Sequence, residues 1–330
     1  GEAVTFPAGS MDYYVDSLKK LAQDHGMPAD EYANTLAYAD TLSAVIMTWS
    51  KGDNYAETRS APKYNVQPDV PGRWVPTPPA YTEAMEPHWM EIRPLVIDSA
   101  DEFMPPPPPP FDIKNKNSKY YYEVMKIKNA VDSLTPEQKH IANFWDDNPF
   151  KLNVSGHVMF GTKKFSPPGH WMSIVGIAAE KAKADFPTTV YAFALTAIAQ
   201  FDSFIQCWDE KYRSNYARPE TVINQYIDAD WRPLLQTPPF PEYTCGHSTV
   251  SASNAEALTY VFGDNFAYTD TSELEFGIDS RSYKSFRDAA IENNWARFYG
   301  GIHFHNSCII STEYGKKVGD FIVNRLKMKK

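Results

Sequence analysis

The sequence predicts an all-α protein: a helical bundle preceded by an N-terminal helical extension. Three observations support this prediction. Apolar residues recur at three- and four-residue spacing along most of the chain, the period of a helix with one buried face. Neither Asn-Gly nor Asp-Gly, the strongest hairpin signals, occurs between alternating runs, and no repeat of about 20 to 50 residues is present. With 330 residues, 43% of them hydrophobic, the chain can bury a large core.

The chain opens with two predicted amphipathic helices. Asp12–His25 and Ala29–Trp49 both carry apolar residues at helical spacing. Gly26 and Gly52 follow where C-terminal caps are expected, because glycine adopts the left-handed conformation that often ends a helix. These two helices form the predicted extension.

A proline-rich arm follows the extension. Residues 58–111 are rich in proline, aromatic and charged residues, and Pro105–Pro110 is a run of six prolines typical of polyproline II. Such a run can also bind an SH3-like groove, but a spacer packed on the core is the favoured interpretation. We therefore predict a division at residue 112, with residues 1–112 as extension and arm and residues 113–330 as the bundle core.

Helical patterns return in the core. A threonine before Pro136 is a good helix start, because proline is favoured at the first helical position. Eight segments have helical patterns: Ser118–Leu134, Thr135–Trp145, Trp171–Ala184, Thr188–Tyr212, Pro219–Ile227, His247–Phe262, Tyr283–Tyr299 and Ile309–Leu326.

Charge and composition exclude several kinds of partner. The formal net charge is -9 and no long run of lysine or arginine is present, so we expect no nucleic-acid partner. The most apolar stretch, Thr188–Cys207, is interrupted by Gln200 and Asp202, which predicts a buried helix and no membrane span. Three cysteines leave at least one thiol unpaired, so a disulfide framework is not expected.

The first candidate site residues are two cations, one near the end of a predicted helix and one at the start of the next. A stripe along that helix ends next to Lys211; its members are Val190, Phe193, Ala197, Phe201, Phe204 and Trp208. A buried ammonium needs an anion, although Lys211 could also extend to the surface. Arg218 precedes Pro219 and therefore lies at a predicted helix start, where anions are favoured. Both cations are suited to one shared anion.

Two further motifs contain the candidate histidines. Gly246 lets the backbone approach a ligand, and His247 follows it on the first turn of a predicted helix, where a plain capping role is the alternative. Arg297 precedes the pair Gly300-Gly301, which breaks its helix before His303. We predict that His303 opens the last helix and shares a pocket with Arg297, and that His305 points away from it.

Together these motifs resemble the three-part signature of the vanadium-dependent haloperoxidase and type 2 phosphatidic acid phosphatase superfamily. The parts are Lys211 with Arg218-Pro219, then Gly246-His247, then Arg297 with His303, over residues 187–326. The wording Phe-Tyr-Gly-Gly-Ile-His-Phe resembles the bacterial vanadium iodoperoxidases of the marine flavobacterial type. The resemblance implies the helical bundle of the haloperoxidase and acid phosphatase type.

The resemblance also implies a vanadate cofactor and its ligands. The implied vanadate-binding residues are Lys211, Arg218, Cys245, Gly246, His247, Arg297 and His303. His303 is implied as the vanadium ligand, His247 as the acid-base group and Lys211 as the residue that polarises bound peroxide. Trp208, Asp209 and Phe240 lie next to the signature and are candidates for the halide approach.

Two positions depart from the family pattern. Cys245 stands where the family usually has serine, and its thiol is a weaker donor that peroxide can oxidise. Ser307 stands where the phosphatases place an aspartate that holds the ligating histidine. Another carbonyl or carboxylate must therefore hold His303 Nδ1, and the sequence does not identify it.

The implied activity is oxidation of iodide, with bromide as a second candidate. Hydrogen peroxide would be the oxidant, organic compounds the acceptors of the hypohalous acid, and phosphate a competitor for the cofactor site. Because hypohalous acid is reactive and the sequence begins with Gly1, we expect an extracytoplasmic protein.

Three other functions remain open at this stage. A soluble acid phosphatase would use His303 as the phosphoryl nucleophile, and a non-catalytic protein would only bind an oxyanion. A zinc site from Cys245, His247 and His303 is disfavoured, because these residues lack paired-ligand spacing and would share the site with three cationic side chains.

Overall fold

The computed structural model describes residues 9–149, 151–155, 157–162 and 165–327, and helices dominate them. The all-α prediction is confirmed. The described helices are α1 (Ser10–Asp24), α2 (Ala29–Ser50), α3 (Tyr55–Thr58), α4 (Lys119–Asp132), α5 (Pro136–Phe144), α6 (Pro167–Ala182), α7 (Phe186–Ser214), α8 (Pro219–Tyr226), α9 (Gly246–Phe262), α10 (Phe286–Tyr299) and α11 (His305–Leu326). Two antiparallel hairpins join β1 (Lys151–Ser155) to β2 (Val158–Thr162) and β3 (Tyr268–Asp270) to β4 (Arg281–Tyr283).

The chain forms two compact units, residues 1–56 and residues 57–330. The first unit contains α1 and α2, and none of their described residues is buried. The second contains the bundle together with the whole proline-rich arm, residues 58–111. The division at residue 112 stays a prediction.

Helix boundaries follow the local signals in the sequence. Thr135 caps α5 in a reciprocal capping box with Gln138, as expected for threonine before Pro136. The long helix α7 ends at Ser214, and α8 begins at Pro219 with Arg218 as its N-cap residue. The predicted break between these two helices is therefore confirmed.

The centre of the bundle is α9, which packs on α7, α10 and α11. Its contact with α11 is a backbone contact: a Cβ built on Gly315 would lie 2.0 Å from the Thr249 carbonyl oxygen. One on Gly319 would lie 2.7 Å from the Ser253 carbonyl oxygen. The absence of side chains at these glycines lets the middle of α11 pack directly against the first half of α9.

The proline-rich arm packs on the bundle through tyrosine hydroxyls. Residues 105–110 have no helix or strand, as a proline run requires. Tyr216 donates to the Pro109 carbonyl at 2.6 Å and Tyr243 to the Pro106 carbonyl at 2.5 Å. The arm therefore braces the loop that leads into α9.

Two local predictions need correction, and one kind of element was missed. Phe304 is the N-cap of α11, so His303 lies in the preceding turn and does not open the last helix. The helix predicted to begin at Tyr283 begins only at Phe286, as α10, and Tyr283 is instead the last residue of β4. The short hairpins were not predicted.

Helix α7 is long and apolar enough, by length and composition, to cross a membrane, and no other described helix is. Half of its apolar window is buried inside the bundle, as in the core helix of many proteins. The expectation of no membrane span stays a prediction.

Candidate active site

The three cationic side chains of the signature are all buried. Lys211 comes from the last turn of α7, Arg218 from the start of α8 and Arg297 from the end of α10. Burial lowers the pKa of Lys211 to about 8 and that of Arg218 to about 10. Buried cations are costly unless an anion or hydrogen-bond acceptors compensate them, so each side chain's partners matter.

Carbonyl oxygens of one loop surround Lys211. Its Nζ donates to the Pro241 carbonyl at 2.8 Å, to the Glu242 carbonyl at 3.1 Å and to the Thr244 carbonyl. An ammonium has three donors, and this loop uses all of them. Lys211 therefore fixes the loop before α9, and a direct bond from Lys211 to an anion requires one carbonyl to give way.

The two arginines keep donors unused. Arg218 donates from Nε to the Phe240 carbonyl and from one NH group to the Ile302 carbonyl, both at 2.8 Å. Arg297 donates to the Trp145 carbonyl at 2.9 Å. Arg218 Nη2 and Arg297 Nε are buried and have no hydrogen-bond partner among the described residues. Unpaired buried guanidinium donors indicate an anion site.

His303 has a defined tautomer. Arg218 Nη1 lies 2.9 Å from His303 Nε2, and since a guanidinium can only donate, Nε2 must accept. His303 Nδ1 lies 2.9 Å from Glu242 Oε1 and donates to it. The imidazole is therefore protonated on Nδ1 and presents a lone pair on Nε2, the state that a metal-ligating histidine needs.

Glu242 is the partner of His303 that the sequence did not identify. Its Oε1 also accepts the Phe304 backbone N–H at 3.0 Å, and its Oε2 accepts the Ser307 hydroxyl at 3.0 Å. Ser307, the residue at the phosphatases' aspartate position, thus supports the carboxylate without replacing it. A weak signal was available, because Glu242 is an acidic residue just before the Gly-His motif.

The start of α9 contains the remaining motif. Cys245 is its N-cap residue and donates its backbone N–H to Ser311 Oγ at 2.8 Å. Burial opposes ionisation of the Cys245 thiol, but a hydrogen bond with Cys308 and the charge of Arg297 lower its pKa well below the usual value. Cys207, Cys245 and Cys308, all within the described chain, are free thiols.

Gly246 and His247 lie in the first turn of α9, and the predicted position of His247 is confirmed. A Cβ on Gly246 would lie 3.5 Å from the Trp208 ring and 4.0 Å from Lys211 Cε, an ordinary contact, so packing alone does not require glycine. The His247 side chain is 14% exposed, and burial together with the Arg297 charge lowers its pKa well below the usual value. His247 is therefore neutral and can accept a proton.

The three halide candidates separate into two groups. The rings of Trp208 and Phe240 lie 5.0 Å apart, and Lys211 Nζ lies 5.9 Å and 5.0 Å from their centroids. Asp209 instead forms an ion pair with Arg213 at 3.1 Å. The two rings adjoin the site, whereas Asp209 is held by a different contact.

The zinc alternative finds no support in the geometry. Within the described part of the chain, one group of candidate ligand atoms clusters within 4.8 Å, that of Asp147, His170 and Glu273. Cys245, His247 and His303 are not in it.

His305, expected to point away from His303, lies 2.8 Å through Nδ1 from Lys126 Nζ and packs on the Trp295 ring.

Comparisons with known proteins agree with this geometry. A family model described as the VCPO second helical-bundle domain matches residues 191–329. A solved structure described as the first bacterial vanadium-dependent iodoperoxidase is 44% identical, with a TM-score of 0.86, and the match covers 97% of this chain and 75% of that chain. The chain belongs to the vanadium-dependent haloperoxidase family. No curated protein matches the sequence.

Two other haloperoxidase structures share the fold at low identity. The holo-type bacterial vanadium-dependent chloroperoxidase is 18% identical with a TM-score of 0.64, over 95% of this chain and 78% of that chain. The apo-type is 17% identical with a TM-score of 0.65, over 95% and 80%. The fold of this haloperoxidase family member is therefore shown, while the vanadate role of each site residue stays a prediction.

Proposed function

We propose that this chain is a vanadate-dependent iodide peroxidase that uses hydrogen peroxide to form hypoiodous acid, which then iodinates organic compounds. One observation carries the proposal. Arg218 Nη2 and Arg297 Nε are buried donors without partners among the described residues, and Arg218 also bonds the His303 Nε2 lone pair. Guanidinium N–H groups that can bind an anion, beside a nitrogen that can bind a metal, fit a metal oxyanion better than a bare cation or a neutral ligand.

The residues would divide the work of holding vanadate. Arg218 and Arg297 would donate to its oxygens, His303 Nε2 would bind the vanadium, and the first turn of α9 would add backbone N–H groups from Gly246 onward. Bound vanadate supplies a Lewis-acidic centre that binds hydrogen peroxide and activates it toward halide.

Proton transfer is the task of His247. Its imidazole is neutral because burial and Arg297 lower its pKa well below the usual value. A neutral imidazole on the first turn of α9 can accept a proton when hydrogen peroxide binds and return it later. Lys211 contributes positive charge, and its hydrogen bonds to the Pro241 and Glu242 carbonyls keep the loop before α9 in place.

Iodide is the proposed halide for two reasons. The relative described as an iodoperoxidase is 44% identical over most of this chain. The Lys211 ammonium supplies a positive charge that attracts an anion, and the neighbouring rings of Trp208 and Phe240 offer polarisable surface for dispersion contacts with a large one. Bromide is the second candidate.

The decisive assay is iodide oxidation by vanadate-free protein with hydrogen peroxide, repeated after addition of orthovanadate and then of excess phosphate. We expect triiodide formation only with vanadate, and its suppression by phosphate. Vanadate-independent or absent turnover would overturn the proposal. Hydrolysis of p-nitrophenyl phosphate together with absent halide oxidation would instead establish the acid phosphatase alternative. Bromide turnover equal to that of iodide would overturn the choice of halide.

A matched pair of histidine variants tests the ligand. His303→Ala should abolish vanadate binding and turnover. His305→Ala, two residues away and engaged with Lys126 and Trp295, should retain both. Turnover retained by His303→Ala would remove His303 from the ligand role.

We also propose an extracytoplasmic location. Hypohalous acid attacks thiols and thioethers, so its release outside the cytoplasm protects cellular proteins. Cell fractionation with an antibody against the chain tests this, and recovery in the cytosolic fraction would contradict it.

A further inference from the structure

A buried row of three side chains lies outside the signature motifs. His170 Nδ1 lies 2.9 Å from Asp147 Oδ1, and His170 Nε2 lies 2.9 Å from Asp270 Oδ2. The residues come from the segment after α5, from α6 and from β3, and all three are buried. The indole ring of Trp145 stacks on the imidazole with centroids 4.5 Å apart. We call these three residues the Asp-His-Asp row.

The imidazole of the row is cationic at neutral pH. Burial opposes its protonation, but the charges and hydrogen bonds of Asp147 and Asp270 outweigh burial and raise the pKa of His170 to about 10. Both ring nitrogens therefore donate, one to each carboxylate. The Ser272 backbone N–H and hydroxyl donate to Asp270 Oδ1 at 3.0 Å and 2.6 Å and anchor the far end of the row.

The near end of the row faces the active site. Asp147 Oδ2 lies 3.8 Å from His247 Nε2. Both atoms are buried, and neither has a hydrogen-bond partner among the residues that the structure describes. A distance of 3.8 Å is just beyond that of a hydrogen bond, buried polar groups are seldom left unsatisfied, and catalytic hydrogen bonds often tighten only when a ligand binds.

We propose that Asp147, held by His170 and Asp270, is the positioning residue of His247: it accepts a hydrogen bond from Nε2–H and leaves Nδ1 as the basic nitrogen. The inference rests on the proposed function for the reaction in which His247 acts. A carboxylate that fixes the tautomer of an imidazole also stabilises the imidazolium formed when Nδ1 takes a proton. Loss of the row should therefore slow turnover and leave vanadate and substrate binding intact.

The test compares Asp147→Asn and His170→Gln with the control Asp202→Asn. Asp202 is a buried carboxylate that accepts the backbone N–H groups of residues 95–97, and no hydrogen bond or ion pair joins it to the row among the described residues. Thermal unfolding identifies folded variants. Vanadate-loaded protein gives kcat and the KM for hydrogen peroxide, equilibrium dialysis gives vanadate affinity, and ¹⁵N NMR of the imidazoles gives the His247 tautomer in vanadate-free protein.

We expect kcat to fall about 10- to 100-fold in both row variants, with unchanged KM and vanadate affinity. The His247 signal should show Nε2–H in the wild-type protein and a changed tautomer distribution in Asp147→Asn. Asp202→Asn should lower thermal stability and leave both kcat and the His247 tautomer unchanged.

Several results would overturn the inference. One is a wild-type kcat in folded Asp147→Asn. Another is an Nδ1–H tautomer of His247 in the wild-type protein. A third is a loss of vanadate affinity in the row variants without a loss of kcat. So would a stoichiometric metal ion bound by His170 and Asp147, detected by elemental analysis. If the wild-type protein shows no vanadate-dependent turnover, the proposed function fails, and the tautomer in vanadate-free protein still decides the role of Asp147.

Discussion

His303 Nδ1 lies 2.9 Å from Glu242 Oε1, while Arg218 Nη1 lies 2.9 Å from the opposite ring nitrogen. The two contacts together orient the imidazole and assign its proton, because the guanidinium can only donate and the carboxylate accepts. Glu242 is itself held by Phe304 and Ser307, on the turn that follows His303. The proposed vanadium ligand is therefore pre-oriented by residues on three separate segments.

Glu242→Gln should raise the dissociation constant for orthovanadate about 10- to 100-fold, because an amide is a weaker acceptor for His303 Nδ1–H and leaves the imidazole less basic. Equilibrium dialysis measures this effect. The control is Glu256→Gln, the same substitution at a buried carboxylate paired with Arg287, which should leave vanadate affinity unchanged. Equal affinities of wild-type protein and Glu242→Gln would contradict the role of Glu242.

Cys245→Ser should protect the vanadate-free protein against hydrogen peroxide. The Cys245 thiol has a pKa well below the usual value, and thiolates react with peroxide. After peroxide treatment, mass spectrometry should find fewer oxygen adducts in Cys245→Ser, and more activity should be recovered with vanadate. Cys207→Ser is the control, because burial raises the pKa of Cys207 and its loss should give no protection. Identical inactivation of all three proteins would show that Cys245 is a spectator.

The pH dependence of stability should report the charge of His170. Its folded pKa of about 10 exceeds the usual 6.5, so its contribution is fully present below about pH 6.5 and is lost as pH rises through about 10. Lys211 acts in the opposite direction, since its pKa is lowered to about 8 and its burial penalty is relieved above that pH. Comparison with His170→Gln removes the Lys211 contribution, which both proteins share.

Urea unfolding of wild-type protein and His170→Gln between pH 6 and pH 10 measures the effect. The free energy of unfolding of the wild-type protein minus that of His170→Gln should fall steadily as pH rises. A difference that stays constant across this range would show that His170 is neutral in the folded protein.

Gly315→Ala should destabilise the bundle by about 1–3 kcal/mol or more, because the added Cβ would overlap the backbone of α9 at Thr249. Gly176→Ala is the matched control on α6, where a Cβ would meet only Phe193 at 4.0 Å. That control should be neutral or more stable by about 0.5–1 kcal/mol, since alanine favours a helix. Equal thermal stabilities of the two variants would contradict the close contact of α9 and α11.

Local backbone rules predicted helix boundaries well. Threonine before Pro136 and Arg218 before Pro219 both mark helix starts in the structure, because proline fixes its own φ and restricts the preceding residue. The start of α11 was wrong by two residues. Gly301 adopts φ 78°, and this turn keeps His303 outside the helix.

The buried face of α7 was predicted wrongly at its first turns. The stripe was expected to begin with Val190 and Phe193, yet these side chains are 49% and 36% exposed. The buried side is formed by Ala192, Leu195 and Ala199. The buried face of a helix depends on which elements pack against it, and the sequence alone does not show which neighbours a helix meets.

The signature residues were predictable and their supporting partners were not. Lys211, Arg218 and His303 have recognisable spacing. Glu242 is 61 residues from His303, and Asp270 is 100 residues from His170. Such pairs exist only because the packed helices bring distant segments together, and no local pattern encodes them.

A crystal structure of the protein soaked with orthovanadate tests the central claim most directly. The account predicts one vanadium bonded to His303 Nε2, with its oxygens within hydrogen-bond distance of Arg218 Nη2 and Arg297 Nε. Anomalous density for vanadium elsewhere would contradict it. So would Arg218 Nη2 and Arg297 Nε that still lack a hydrogen-bond acceptor at saturating vanadate.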